Sequence, residues 1–169
     1  MAGRVGGLGA GALLAGVLAA AAWPLQVLEV ADLDEGRLLA ALPAQSFQLR
    51  YRHSLYRGYV WEHFSVSGTH LTLEAVEAER EAAGEYYGLL HRVVRTDGRY
   101  RVSAATAPVE ELVVRATALG ERALLLGRFA LPLYPDREGH RIRIRVVRGP
   151  VAQVALRLLA GHLGKRVRP

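Results

Sequence analysis

The sequence predicts an all-β protein, an antiparallel β-sandwich or partly open barrel, and three observations predict it. Turn signals interrupt the chain at short intervals after Trp23: Asp34-Glu35-Gly36, Arg57-Gly58, Ser67-Gly68, Asp97-Gly98, Gly120-Glu121 and Glu138-Gly139. The runs between them are four to nine residues long, rich in Val, Leu, Tyr and Phe, and alternate with period two. Long helical patterns do not separate those runs, which favours antiparallel pairing over a parallel sheet. A chain of 169 residues, 51% of them hydrophobic, forms one core-bearing domain without covalent staples. It contains no cysteine, so disulfides and thiolate metal sites are excluded.

The elements follow in chain order. Residues 1–22 carry one charge, Arg4, then an apolar stretch ending in Ala20-Ala21-Ala22 before Trp23-Pro24. That is the layout of a secretory signal peptide, with an uncleaved membrane-anchor helix as the alternative, because the run is diluted by glycine and alanine. The "GLGAG" within it follows no strand, so it is not a dinucleotide loop. Residues 23–150 form the β-rich domain. In "VRTDGRYRV" the Asp-Gly pair predicts a tight hairpin. "EAVEAEREAAGEYYGLL" is acidic and alanine-rich, and predicts a helical turn or a mobile loop. "HRIRIRVV" puts Ile142, Ile144 and Val146 on one face and Arg141, Arg143 and Arg145 on the other. Residues 151–169 read as a short basic helix and tail, stopping at Gly161 or Gly164.

Charge is uneven. Residues 137–169 hold nine Lys/Arg and one acid, Glu138, for a local net of +8, so with +6 overall the remainder sums to −2. On an exported chain a basic end suits anionic lipid headgroups or an acidic partner; a solvated strand face is the plainer reading. Nucleic acid is not an expected partner in that compartment.

One stretch stands apart. In "SFQLRYRHSLYRGYVWEHFSV" Phe47, Leu49, Tyr51 and His53 share one strand face, and Val60, Glu62, Phe64 and Val66 share the matching face of the next. Tyr59, Trp61, His63 and Ser65 face outward. A two-residue turn at Arg57-Gly58 sets His53 directly against Glu62, and a longer loop makes them diagonal. A buried ion needs a partner, so the two satisfy one another. His53→Ala is then expected to strand a buried carboxylate, at about 1–3 kcal/mol. The alternative is functional: a histidine beside a carboxylate serves as acid, base or ligand anchor. Tyr51 and Ser54 complete the candidate binding set, although alternation turns Ser54 to the opposite face from His53. No G-x-S-x-G or S-x-x-K occurs, and the six histidines lack metal-ligand spacing. No metal or other cofactor is implied. The glutamates 74, 77, 79, 81 and 85 read as a solvated face, with a weak cation site as the lesser alternative.

The segment "SFQLRYRHSLYRGYVWEHFSVSGTHLTLEAV" resembles the signature of a family of small exported bacterial proteins of unknown function, encoded beside TRAP transporters of the TAXI class. The resemblance rests on Phe47, Tyr51, His53-Ser54 and Glu62, followed by a strand ending near Leu73, and spans roughly residues 25–148. Members carry a proline where Arg57-Gly58-Tyr59 stands and a Gly-Ala-Gly turn where Ala82-Ala83-Gly84 stands. The resemblance implies a periplasmic or membrane-anchored accessory of a transporter for small organic acids, docking on the permease or solute-binding protein or handling the solute. Two other readings stay open. One is a small hydrolase or isomerase with His53 as a base oriented by Glu62; the other is a free-standing ligand binder with an apolar pocket near Tyr51 and Trp61.

Overall fold

Alternation in the longest strand shows how the layers form: Ile142, Ile144 and Val146 are buried, while the arginines between them point away. The computed structural model describes residues 24–87, 93–104 and 106–156. The signal or anchor expected at 1–22 and the helix stop at Gly161 or Gly164 lie outside the described residues.

Eleven strands and one short helix are described: β1 (Pro24–Asp32), β2 (Arg37–Leu42), β3 (Ser46–Arg52), β4 (Tyr59–Ser67), β5 (His70–Ala78), α1 (Glu81–Glu85), β6 (Val94–Thr96), β7 (Arg99–Ser103), β8 (Glu111–Arg115), β9 (Ala123–Leu126), β10 (Phe129–Pro132) and β11 (Arg141–Pro150). A further helical stretch occupies 151–156. The strands make two antiparallel sheets, ordered β2-β1-β11-β8 and β10-β9-β3-β4-β5-β7-β6. Leu28, Val30, Ile142 and Ile144 from the first sheet and Phe47, Leu49, Phe64 and Leu124 from the second share one core, as in a β-sandwich. A second cluster, Val60, Val76, Ala78, Ala83 and Ala104, lies where α1 covers the end of the larger sheet. Among the described residues no helix is long and apolar enough to cross a membrane.

The Asp-Gly hairpin forms as read: Thr96 pairs with Arg99, and Asp97 and Gly98 both take positive φ, at 51° and 79°. That is the backbone a two-residue primed turn requires. The acidic stretch forms the expected helical turn but begins as strand. β5 runs on to Ala78 instead of ending near Leu73, because Glu77 faces Arg99 and Arg101, which compensate its charge.

The first hairpin departs from expectation. Arg52 pairs with Tyr59 and Leu49 with Glu62, and the His53 N–H donates to the Gly58 carbonyl. The loop is therefore Ser54–Arg57, closed by Arg57 N–H on His53 O, with Arg57 at φ 53°. Its cause is local: His53 Nδ1 accepts the N–H groups of Leu55 and Tyr56 at 3.3 and 3.4 Å, which holds a wider loop than Arg57-Gly58 alone would make.

Candidate functional site

Glu62 stands opposite Leu49 and points to the inner face, where its Oε1 accepts a 2.6 Å hydrogen bond from the Tyr87 hydroxyl. Tyr87 lies just past α1, so the helical turn built from the alanine-rich stretch delivers it. Tyr51, from β3, meets the Tyr87 hydroxyl at 2.6 Å. With Tyr87 donating to Glu62, the Tyr51 hydroxyl must donate to Tyr87, so the chain runs from Tyr51 to Tyr87 to Glu62. Burial pushes the Glu62 carboxyl above the usual glutamate range; Tyr87 and the charge of Arg122 pull it down without cancelling that effect. Burial likewise raises Tyr51, and burial together with the neighbouring Glu62 raises Tyr87 well beyond ordinary titration.

His53 is not Glu62's partner, which corrects the expected pair. It is buried at the end of β3, its ring 4.9 Å from that of Tyr56 and 5.0 Å, edge-on, from that of Tyr86. Its Nδ1 is engaged by the loop N–H groups, which leaves the proton of the neutral ring on Nε2. A base oriented by Glu62 is therefore not what the hairpin builds. Tyr51 and Trp61 do not share a pocket either. Tyr51 pairs with Val60, whereas Trp61 pairs with Arg50 on the outer face, covered by the Arg99 guanidinium at 3.8 Å.

The four expected residues do line one cleft of about 310 Å³, Tyr51, His53 and Glu62 along it with exposed Ser54 at its rim. Strand alternation kept Ser54 apart from His53, but the chain leaves the strand at Arg52, so alternation no longer applies. The other wall comes from the turn before β9: Thr117, Leu119, Gly120 and Arg122. Several contacts hold that turn, three of them close to the cleft. The Thr117 hydroxyl accepts the Gly120 N–H, the Arg52 N–H donates to Gly120 O at 2.7 Å, and Arg52 pairs with Glu121 at 3.0 Å. β9 pairs with β3 through Arg50 and Ala123, so Arg122 falls one step further on, beside Tyr51. Its guanidinium lies 5.0 Å from the Tyr51 ring centroid. Arg122 forms no ion pair among the described residues, and its buried Nε has no hydrogen-bond partner there.

Sequence reasoning missed Arg122 and Tyr87. Both follow from pairings of distant segments, and the only local cue was an aromatic pair, Tyr86-Tyr87, after the acidic run. It also missed Asp32, fully buried at the end of β1. Asp32 Oδ1 accepts the N–H groups of Asp34 and Glu35, and Oδ2 meets His140 Nδ1 at 2.8 Å. Asp32, Glu35 and His140 are close enough to hold a cation in principle, but both Asp32 oxygens are already engaged, so the cluster serves to tie the β1–β2 turn to the entry of β11.

The domain of unknown function DUF1850 matches residues 47–133, just over half of the chain. This protein belongs to that family. The DUF1850 match takes in the seven-stranded sheet and all the cleft residues named above, and leaves β1, β2 and β11 outside. No curated protein and no solved structure matches the chain.

Proposed function

We propose that this DUF1850 protein is a non-enzymatic, exported module that binds a small organic anion in the cleft between Tyr51, Glu62 and Arg122. The observation that carries the reading is Arg122: a half-buried guanidinium, stacked on an aromatic ring, with no carboxylate paired to it among the described residues. A cation held in place and left unneutralised is a ready anion site. Burial raises the Glu62 carboxyl above the usual glutamate range, which weakens its hold on that charge. Tyr51, Tyr86, Leu119 and His53 supply apolar and aromatic wall for the body of the ligand.

The proposed setting is an accessory of a TAXI-class TRAP transporter, on the strength of the resemblance carried by Tyr51, His53-Ser54 and Glu62. The partner or membrane contact is assigned to the basic end, Arg148 together with the four basic residues beyond 156. Arg141, Arg143 and Arg145 are less suited to it, because they are paired with Asp34 and Glu29.

Isothermal titration with acetate, benzoate and succinate tests the binding step. At least one is expected to bind, and Arg122→Gln is expected to weaken it about 10-fold or more, the worth of a charge-assisted contact. Equal affinity in the variant would overturn the site. Affinity purification from native membranes in mild detergent tests the setting: recovery of a TRAP permease or solute-binding protein is expected, and recovery of neither counts against it.

A further inference from the structure

Glu62 uses only half of its carboxyl in holding the cleft together. Oε1 takes the Tyr87 hydroxyl, and Oε2 has no hydrogen-bond partner among the described residues although the side chain lines the cleft. The groups that face it from each packed element are few. β3 contributes Tyr51, the segment after α1 contributes Tyr87, and the turn before β9 contributes Arg122; on β5 its partner is Val76, which carries no charge. Arg52, His53 and Tyr86 also line the cleft, and Arg52 is paired with Glu121. So long as Tyr87 donates into Oε1, the proton of a neutral Glu62 carboxyl is carried by Oε2. A carboxylate, with two acceptor oxygens and a negative charge, can accept from Oε2 and from Arg122 together.

We infer that Glu62 binds the ligand as a carboxylic acid, its Oε2–H donating to the ligand's carboxylate beside Arg122, so that binding of a carboxylate takes up a proton whenever Glu62 is ionised beforehand. The inference rests on the anion-binding reading above and adds the class of ligand, a carboxylate, and its coupling to pH. Nothing is transferred covalently. The proton stays shared between Oε2 and the ligand oxygen, and leaves when the ligand leaves. An ionised Glu62 would place two carboxylates side by side with one guanidinium between them, and repulsion would then cost most of the affinity.

The full chain is titrated with benzoate and succinate from pH 5 to 9, each in two buffers of different ionisation enthalpy. The expected result is a dissociation constant that is flat at low pH and rises about tenfold per pH unit above the Glu62 pKa. Uptake approaching one proton per ligand should accompany that rise. Glu62→Gln, whose amide N–H can still donate to the ligand, should bind with a dissociation constant that does not rise in that way. Binding with a constant dissociation constant and no proton uptake overturns the inference and leaves the Arg122 anion site standing. So does a pH slope that survives unchanged in the glutamine variant. No binding of either probe, or of acetate, at any pH overturns the anion site and this inference with it. Should the variant not fold, the proton uptake of the native chain decides alone.

Discussion

At the scale of single residues, the carboxylate in the hairpin changes partner. Its donor is Tyr87, on a different element, and His53 holds the loop beside it. The cost of stranding the carboxyl therefore moves from His53 to Tyr87. Tyr87→Phe is expected to destabilise the fold by about 1–3 kcal/mol, because burial already disfavours the charge and the hydroxyl is its only hydrogen bond among the described residues. Combining it with Glu62→Leu should cost clearly less than the sum of the two single changes. His53→Ala and Glu62→Leu should add, since the residues do not touch. Chemical denaturation of the single and double variants measures both cycles, and strong coupling between 53 and 62 would restore the direct pair. The sign with pH is also set here. A glutamate raised above its ordinary value of 4.5 stabilises the fold fully below that value, and its contribution fades as pH rises towards its folded pKa.

At the scale of elements, the register of β3 on β4 can be read chemically. Tyr59 sends its N–H to Glu79 Oε2 and its carbonyl to the Glu79 N–H, away from Arg52. Arg52 and Tyr59 are thus a non-hydrogen-bonded antiparallel pair, the kind whose Cα atoms approach to about 4.5 Å. That spacing suits a disulfide. In a chain without cysteine, Arg52→Cys with Tyr59→Cys should oxidise readily to an intramolecular bridge. His53→Cys with Glu62→Cys should remain reduced; mass spectrometry with thiol labelling distinguishes them, and the opposite pattern would reinstate the two-residue turn. The sequence made the strands legible because Phe47, Leu49, Ile142 and Ile144 must alternate to reach a core. The hairpin register was not legible, because the loop length depends on an imidazole accepting two backbone N–H groups rather than on Gly58. Tyr51, His53, Ser54 and Glu62 were legible as polar interruptions of apolar strands. Arg122 was not, since only the pairing of β9 with β3 brings it beside Tyr51.

At the scale of the whole molecule, polar contacts within each sheet supplement the core the two sheets share, and these give the fold its response to pH. His140 precedes β11 and Asp32 ends β1, 108 residues apart in sequence. The hydrogen bond that His140 donates to Asp32 raises His140 above 6.5 even though burial opposes it. Burial alone would raise Asp32, but the hydrogen bonds from His140, Glu35 and Asp34 hold it below 3.8. His63 goes the other way, lowered below 6.5 by burial despite the neighbouring Glu77. Linkage then assigns each window. The His140 contribution is complete below pH 6.5 and is lost as pH rises through its raised value. The Asp32 contribution is present above pH 3.8 and is lost as pH falls. The His63 contribution is present above pH 6.5 and is lost as pH falls through its lowered value. Because the two histidines oppose each other, the native chain alone is expected to show a shallow profile near neutrality, and His140→Gln separates them. The stability gap between native chain and variant should be widest between roughly pH 4 and 6.5 and should narrow steadily above that. Urea titrations at unit pH steps measure it. A gap that widens with rising pH would mean that His140 sits neutral against Asp32 and donates to it without carrying charge.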